Sequence, residues 1–229
     1  MPLTIPCFDA PPHRLSGVVY SALLNDPQQV LLLGDAVHQP PYKAPPVHPV
    51  MAVRPRNALA GDGQAIAVPP GGVRTGPGLG IVIGRTTCNV AEADALAHIA
   101  GYLVANDLCL PMPGITSHYR PAVRQMARDG FCPLGPVVTP AAAVPHPDDL
   151  AITLRVDGLP AWQGRTGGRV RGVARLLSDV SAFMTLQPGD VLLLGIPADA
   201  PLALPGQSLA VAIDGLGTLH NTLVAEGTP

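Results

Sequence analysis

The sequence predicts a mainly β, or α+β, fold, and three features carry that prediction. Short β-branched and apolar runs recur along the chain: Ile81-Val82-Ile83, AITLRVDG from Ala151, DVLLLG from Asp190, SLAVAID from Ser208 and GTLHNTLV from Gly217. Each is too short for a helix and is bounded by turn residues. The 28 prolines follow no repeat period and so punctuate loops instead of building a fibrous chain. Only two stretches carry a helical pattern, which makes strands the dominant element.

Taken in order, GVVYSALLNDPQQVLLL (residues 17–33) reads as two short strands around an Asn-Asp-Pro turn. HQPPYKAPPVHP is too rich in proline for a helix or a central strand. MAVRP (51–55) reads as a strand, and GDGQAIAVP as a turn followed by another. GPGLGIVIGR (76–85) is a buried strand whose leading end carries three glycines. A helix is expected next: Asn89 suits an N-cap, Glu92 completes a capping box, and Val90, Ala93, Ala97, Ile99 and Ala100 supply an apolar face up to Asn106-Asp107. Residues 108–136 read as a long loop, a length that usually marks function. RVRGVARLLSDVSAFMT (169–185) suits a second amphipathic helix. We place a boundary at residue 48, with an N-terminal segment of short strands and proline-rich loop (1–48) before a core domain (49–229).

Composition excludes several classes. The chain of 229 residues is 47% hydrophobic and 13% charged, enough apolar content for a large core and too little charge for disorder. A net charge of -2 gives no basic footprint for nucleic acid and no polybasic membrane patch. No apolar run approaches the roughly 20 residues that span a bilayer, and MPLTIPCFDAPPHR lacks the pattern of a signal peptide. Cys7, Cys88, Cys109 and Cys132 are scattered, which argues against a disulfide framework or a cysteine zinc site and fits the cytoplasm.

Known chemical motifs fail one by one. In GPGLGIVIG the glycines precede the strand and Ile81 stands where a dinucleotide fingerprint needs its third glycine. The Lys-Ser/Thr of a phosphate loop and the G-x-S-x-G elbow of a hydrolase are missing, and no two of the seven histidines share metal-ligand spacing. Arg54, Arg56, Arg120, Arg124 and Arg128 fall in two turn-rich segments of a chain with one lysine, Lys43. Their planar forks suit a multiply carboxylated small molecule. On chemistry alone, solvated surface charge with some internal salt bridges is the plainer account of them.

RDGFCPLGPVV (128–138), TLQPGDVLLLGIP (185–197), IDGLGTLHNT (213–222) and GYLVANDLCLP (101–111) together resemble the fumarylacetoacetate hydrolase family. YKAPP, VRPRN and HYRPAVRQMARDGFCPLGP are similar to one branch, the first half or first subunit of bifunctional isomerase/decarboxylases of homoprotocatechuate (4-hydroxyphenylacetate) degradation. The resemblance implies mixed β-sheets rolled around one another with few helices. It implies a small acidic 2-oxo or enol di- or tricarboxylate as substrate, and a homodimer or a hetero-oligomer with a catalytic paralogue. It also implies Mg2+ or Mn2+, held by Glu-x-Glu on the strand and an Asp beyond it, to stabilise an enolate.

The sequence departs from that pattern. Counted back from Ile83-Gly84-Arg85, the two Glu positions fall on Gly76 and Gly78, and only Asp107 keeps a ligand. The family's lysine before F-C-P is Met126, the threonine of its G-T-P turn is Ile196, and SALLNDPQQ lacks the lid's His and Glu. The branch itself lacks the paired glutamates, its metal chemistry residing in the second half or partner subunit. By resemblance, substrate binding falls to Arg54, Tyr119, Arg120, Arg124, Arg128, Asp129 and Thr166, with no catalytic residue assigned and no tightly bound ion expected. Thr166 in WQGRT matches a family threonine near substrate, or is an ordinary turn residue. The resemblance thus implies a decarboxylase/isomerase subunit with a degraded metal site, or alternatively a non-catalytic partner of an active paralogue or a member acting on another 2-oxo acid.

Overall fold

The computed structural model describes residues 9–10, 13–14, 18–40, 42–111 and 123–227. Two large sheets dominate. The first has six strands in the order Thr139–Pro140, Ile99–Asn106, Pro77–Ile83, Val191–Leu193, Val19–Leu23, Val50–Arg54. The second has five, in the order Leu159–Arg165, Ala151–Val156, Ser208–Ile213, Gly217–Ala225, Ala65–Val68. Both mix parallel and antiparallel pairs: Val191–Leu193 runs parallel to Val19–Leu23 and antiparallel to Pro77–Ile83. This is the β-rich architecture expected from the strand runs, with the mixed sheets that the resemblance implies. Strand Val19–Leu23 is an inner strand of the six, although it lies before residue 48.

Side-chain alternation gives the six-stranded sheet two buried faces. Leu79, Ile81, Ile83, Tyr102, Val104, Leu192 and Leu194 face Ile152, Leu154, Val211, Ile213 and Leu219 of the other sheet, and helix Val173–Ser181. That helix buries Val173, Leu176, Leu177, Val180 and Ser181, an i, i+3, i+4, i+7, i+8 stripe. Its first N–H groups have no cap from Gly172. Asp148 does the work from outside, its Oδ1 accepting from Val173 N at 2.9 Å. The opposite face of the sheet, with Val19, Val82, Leu103, Ala105, Val191 and Leu193, packs on Leu59, Cys132, Leu134 and Val138. Gly76, Gly78 and Gly80 share the parity of Val82, so the glycine-rich end of GPGLGIVIGR points to this second face.

Two expected elements differ. The helix from Asn89 to Asn106 is only one turn, Glu92–Ala95, extended by a 3-10 turn at Leu96–His98 and followed by strand Ile99–Asn106. Asn89 has φ 49°, outside the extended conformation of an N-cap, and its N–H is taken by the Ser181 carbonyl at 2.7 Å. Ile99–Asn106 is buried along its length and pairs with Pro77–Ile83, so sheet pairing overrides the helical spacing. The second strand expected around the Asn-Asp-Pro turn is instead helix Pro27–Leu33. Asp26 caps it, accepting from Gln28 N at 2.9 Å, and Pro27 opens its first turn.

Candidate functional site

The second face of the six-stranded sheet ends in a buried polar centre. Register places Val19 opposite Arg54 and Ser21 opposite Ala52, so Ser21 and Arg54 share a face. Asp107 follows strand Ile99–Asn106 and is held against the start of the neighbouring strand. Its N–H donates to the Gly76 carbonyl at 2.8 Å, and the Asn106 Oδ1 accepts from Gly76 N at 2.8 Å. The Asp107 carboxylate therefore projects toward Ser21 and Arg54. Ser21 Oγ donates to its Oδ2, and the Arg54 guanidinium forms an ion pair with its Oδ1. Arg54 also donates to the Met126 carbonyl and, at 3.4 Å, to the Leu108 carbonyl. Ala52, Cys109, Met126 and Leu23 close over the group as a small apolar cluster. Arg54 and Ser21 are 0% exposed and Asp107 3%, so water does not screen the pair.

Burial pushes the Asp107 carboxyl above its usual range, while the Arg54 charge and the Ser21 hydrogen bond pull it back. We hold it to be charged against Arg54 at neutral pH, because a guanidinium does not lose its proton and its charge in a dry site needs a partner. The nearby thiols are silenced. Burial raises Cys109 to about 11, only partly offset by Arg54, and pushes Cys132 higher still. Cys88 is exposed, and all three are free. Iodoacetamide on the native protein, followed by peptide mapping, should therefore modify Cys88 and leave Cys109 and Cys132 intact until denaturant is added. Rapid native alkylation of Cys109 would contradict the closed site.

Of the residues expected to meet substrate, Arg54 is wholly internal and bonded to Asp107, not open to a ligand. Arg124 lies exposed on the one-turn helix Val123–Met126. Arg128 pairs with Glu226 and sits 5.6 Å above the Phe131 ring. Asp129 accepts from Asn57 Nδ2 at 2.7 Å, a loop-organising bond, and Asn57 in turn accepts from Gly130 N. Thr166 is buried, and its hydroxyl accepts from Leu150 N at 2.9 Å, which makes it a backbone bridge beside strand Leu159–Arg165. Tyr119 and Arg120 lie outside the described residues. The fold brings together Arg54, Asp107 and the backbone of Met126, and leaves Arg56 and Arg124 exposed and Arg128 half-buried against Glu226. Ser21 and the carbonyls of Leu108 and Met126 were not anticipated; only the small hydroxyl side chain within the run VYSAL hinted at Ser21.

The ion implied by the resemblance does not fit this site. Asp107, the one retained ligand, is engaged by Arg54 and Ser21. A Cβ at Gly76 would run into the Asp107 carbonyl oxygen, and one at Gly78 would stand 3.2 Å from the Gly195 carbonyl oxygen. Among the described residues no group of three or more His, Cys, Asp or Glu could hold a metal. A separate apolar pocket of about 360 Å³ lies beside helix Pro27–Leu33, lined by Leu23, Leu24, Val30, Pro45 and Val50. Its polar rim includes Arg171, whose Nε donates to Asp179 at 2.8 Å.

Residues 18–224 match the family described as fumarylacetoacetate (FAA) hydrolase C-terminal, and the chain belongs to that family. It is 39% identical over 213 residues to a 4-hydroxyphenylacetate degradation bifunctional isomerase/decarboxylase from Escherichia coli, covering 93% of this chain and 48% of that protein. The chain thus spans about half the length of this relative. Among solved structures, 2-hydroxyhepta-2,4-diene-1,7-dioate isomerase from Mycobacterium marinum superposes with a TM-score of 0.73 at 28% identity, over 93% of this chain and 77% of that one. Maleylpyruvate hydrolase from Sphingobium sp. SYK-6, in complex with manganese(II) ion and pyruvate, superposes with a TM-score of 0.72 at 26% identity, over 91% and 70%. Family relatives therefore include manganese-bound enzymes of small organic acids. No helix among the described residues is long and apolar enough to cross a membrane.

Proposed function

We propose that this chain is a subunit of a 5-oxopent-3-ene-1,2,5-tricarboxylate decarboxylase / 2-hydroxyhepta-2,4-diene-1,7-dioate isomerase system in cytoplasmic aromatic catabolism. It works beside a metal-bearing paralogue and holds no Mg2+ or Mn2+ of its own. One observation carries this reading: the carboxylate at the surviving ligand position is already neutralised by Arg54, in a site closed to water. Contact with the acidic substrate falls to the surface arginines, Arg124 and Arg128, and to Tyr119, Arg120 and Asp129. Arg54 and Thr166 serve the fold. A second reading, a purely structural partner of the active paralogue, is favoured by Met126, which packs in an apolar cluster where the family carries lysine.

The test is turnover. The purified chain, a metal-bearing homologue from the same source, and their mixture are assayed for enol-diacid isomerisation and oxaloacetate-type decarboxylation with Mg2+ or Mn2+. The chain alone should show no turnover, and the mixture should exceed the homologue alone. Turnover by the chain alone overturns both readings. A mixture in which only the thermal stability of the homologue rises selects the structural partner, and a mixture with no effect of either kind removes both. Light scattering on the same samples distinguishes a homodimer from a hetero-oligomer.

A further inference from the structure

The Arg54 guanidinium points into a ring of oxygen atoms. The Asp107 carboxylate pairs with it, the Met126 and Leu108 carbonyls accept from it, and Ser21 Oγ donates to the second carboxylate oxygen. Such oxygens are the ligands a hard cation seeks. A divalent ion in a dry site, however, needs more negative charge than one carboxylate brings, and Gly76 and Gly78 add none. A single positive charge balances a single Asp107. The guanidinium is also tethered to its strand and does not deprotonate, so the balance does not depend on ion concentration or on proton loss by the arginine.

We infer that Arg54 is the resident cation of this site, filling the oxygen-lined hole at Asp107 and replacing a metal ion as the charge that holds these strands together. This rests on reading Asp107 as the retained ligand position, and not on any substrate or partner. Arg54 reaches the site from strand Val50–Arg54, while Asp107, Leu108 and Met126 come from other segments. The pair therefore joins the sheet edge to the loop after strand Ile99–Asn106, across a sequence separation of about a quarter of the protein. Without the guanidinium, Asp107 would be a buried charge with only Ser21 beside it, the costly half of a broken pair.

The experiment measures thermal unfolding and Mn2+ binding, so it is independent of any assay of turnover. The proteins are wild type, Arg54→Met, Asp107→Asn and the double variant. Free Mn2+ is followed by electron paramagnetic resonance at millimolar metal. The wild type should leave the free Mn2+ signal undiminished and keep its Tm. Arg54→Met should lose roughly 10 °C at neutral pH, as expected for breaking a buried pair. The double variant should regain most of the lost Tm. One Mn2+ per wild-type chain, abolished by Asp107→Asn, would overturn the inference. So would an Arg54→Met protein that melts with the wild type, or a double variant no more stable than the singles. If Arg54→Met does not fold, a folded double variant still supports the inference and an unfolded one overturns it.

Discussion

Replacing Gly76 and Gly78 by glutamate, the substitutions that would write the family's ligand pair back into the strand, should yield a protein that fails to hold its fold instead of one that binds Mn2+. The first position decides this. A Cβ at Gly76 would overlap the Asp107 carbonyl oxygen, and the collision is with backbone, not with the end of a flexible side chain. That backbone is pinned on both sides, by Asp107 N–H to the Gly76 carbonyl at 2.8 Å and by Gly76 N–H to Asn106 Oδ1 at 2.8 Å. Relief requires giving up one of those bonds or widening the strand pair at Pro77 and Asn106. Overpacking alone costs about 1–3 kcal/mol, and a glutamate adds a charge beside a carboxylate in a site without water, so Gly76→Glu should lose roughly 4 kcal/mol or more. Gly76→Ala isolates the steric part, at about 2 kcal/mol. Gly78→Ala should cost less, because its neighbour, the Gly195 carbonyl oxygen at 3.2 Å, has only to move by a few tenths of an ångström. Chemical denaturation of the three variants checks the order. A Gly76→Ala protein as stable as wild type would remove the steric argument.

The same strand shows what a sequence does and does not disclose. Ile81-Val82-Ile83 announces a buried strand because β-branched residues on both faces leave no polar side, and the strand is buried from Pro77 to Ile83. The hairpin of Ser208–Ile213 and Gly217–Ala225 is legible for the opposite reason, its clean alternation. Residues 89–106 mislead because alanines at helical spacing are consistent with a helix, whereas the partner that makes Ile99–Asn106 a strand lies about twenty residues earlier. Arg54 misleads in another way. In VMAVR the valine at 53 is 60% exposed and the arginine at 54 is 0% exposed, so the usual outward charge and inward apolar residue are exchanged. No local pattern reveals that inversion. The register with Val19–Leu23 and the carboxylate waiting at Asp107 produce it. Asp107 itself was recognisable by resemblance, but its partner was not, because strand pairing and not spacing brings the two together.

Asn25→Asp should produce the second large loss, and one with a distinctive pH dependence. Asn25 is 2% exposed, just beyond strand Val19–Leu23, and joins three segments of chain. Its Nδ2 donates to the Leu194 carbonyl at 2.8 Å and to the Arg171 carbonyl at 3.0 Å, and its Oδ1 accepts from Arg171 N at 2.9 Å. Its own carbonyl accepts from Val170 N at 2.9 Å. These bonds fix the turn at Leu194 and Gly195, whose carbonyl oxygen lies against Gly78 of the neighbouring strand. An ionised aspartate keeps the acceptor and loses both donors, turning a negative charge toward two carbonyl oxygens. The loss should be about 3 kcal/mol at neutral pH. Burial and the facing carbonyls raise the folded pKa of the new carboxyl above its unfolded value near 4. Its neutral form, with one O–H donor, therefore holds the fold at low pH, and that contribution disappears as pH rises through the raised value. The stability gap to wild type should narrow as pH falls toward about 5, whereas Asn25→Ala, which has nothing to titrate, should keep a constant gap. Equal pH profiles for the two variants would show that burial and the facing carbonyls do not raise the pKa of a carboxyl at position 25, and would overturn the prediction.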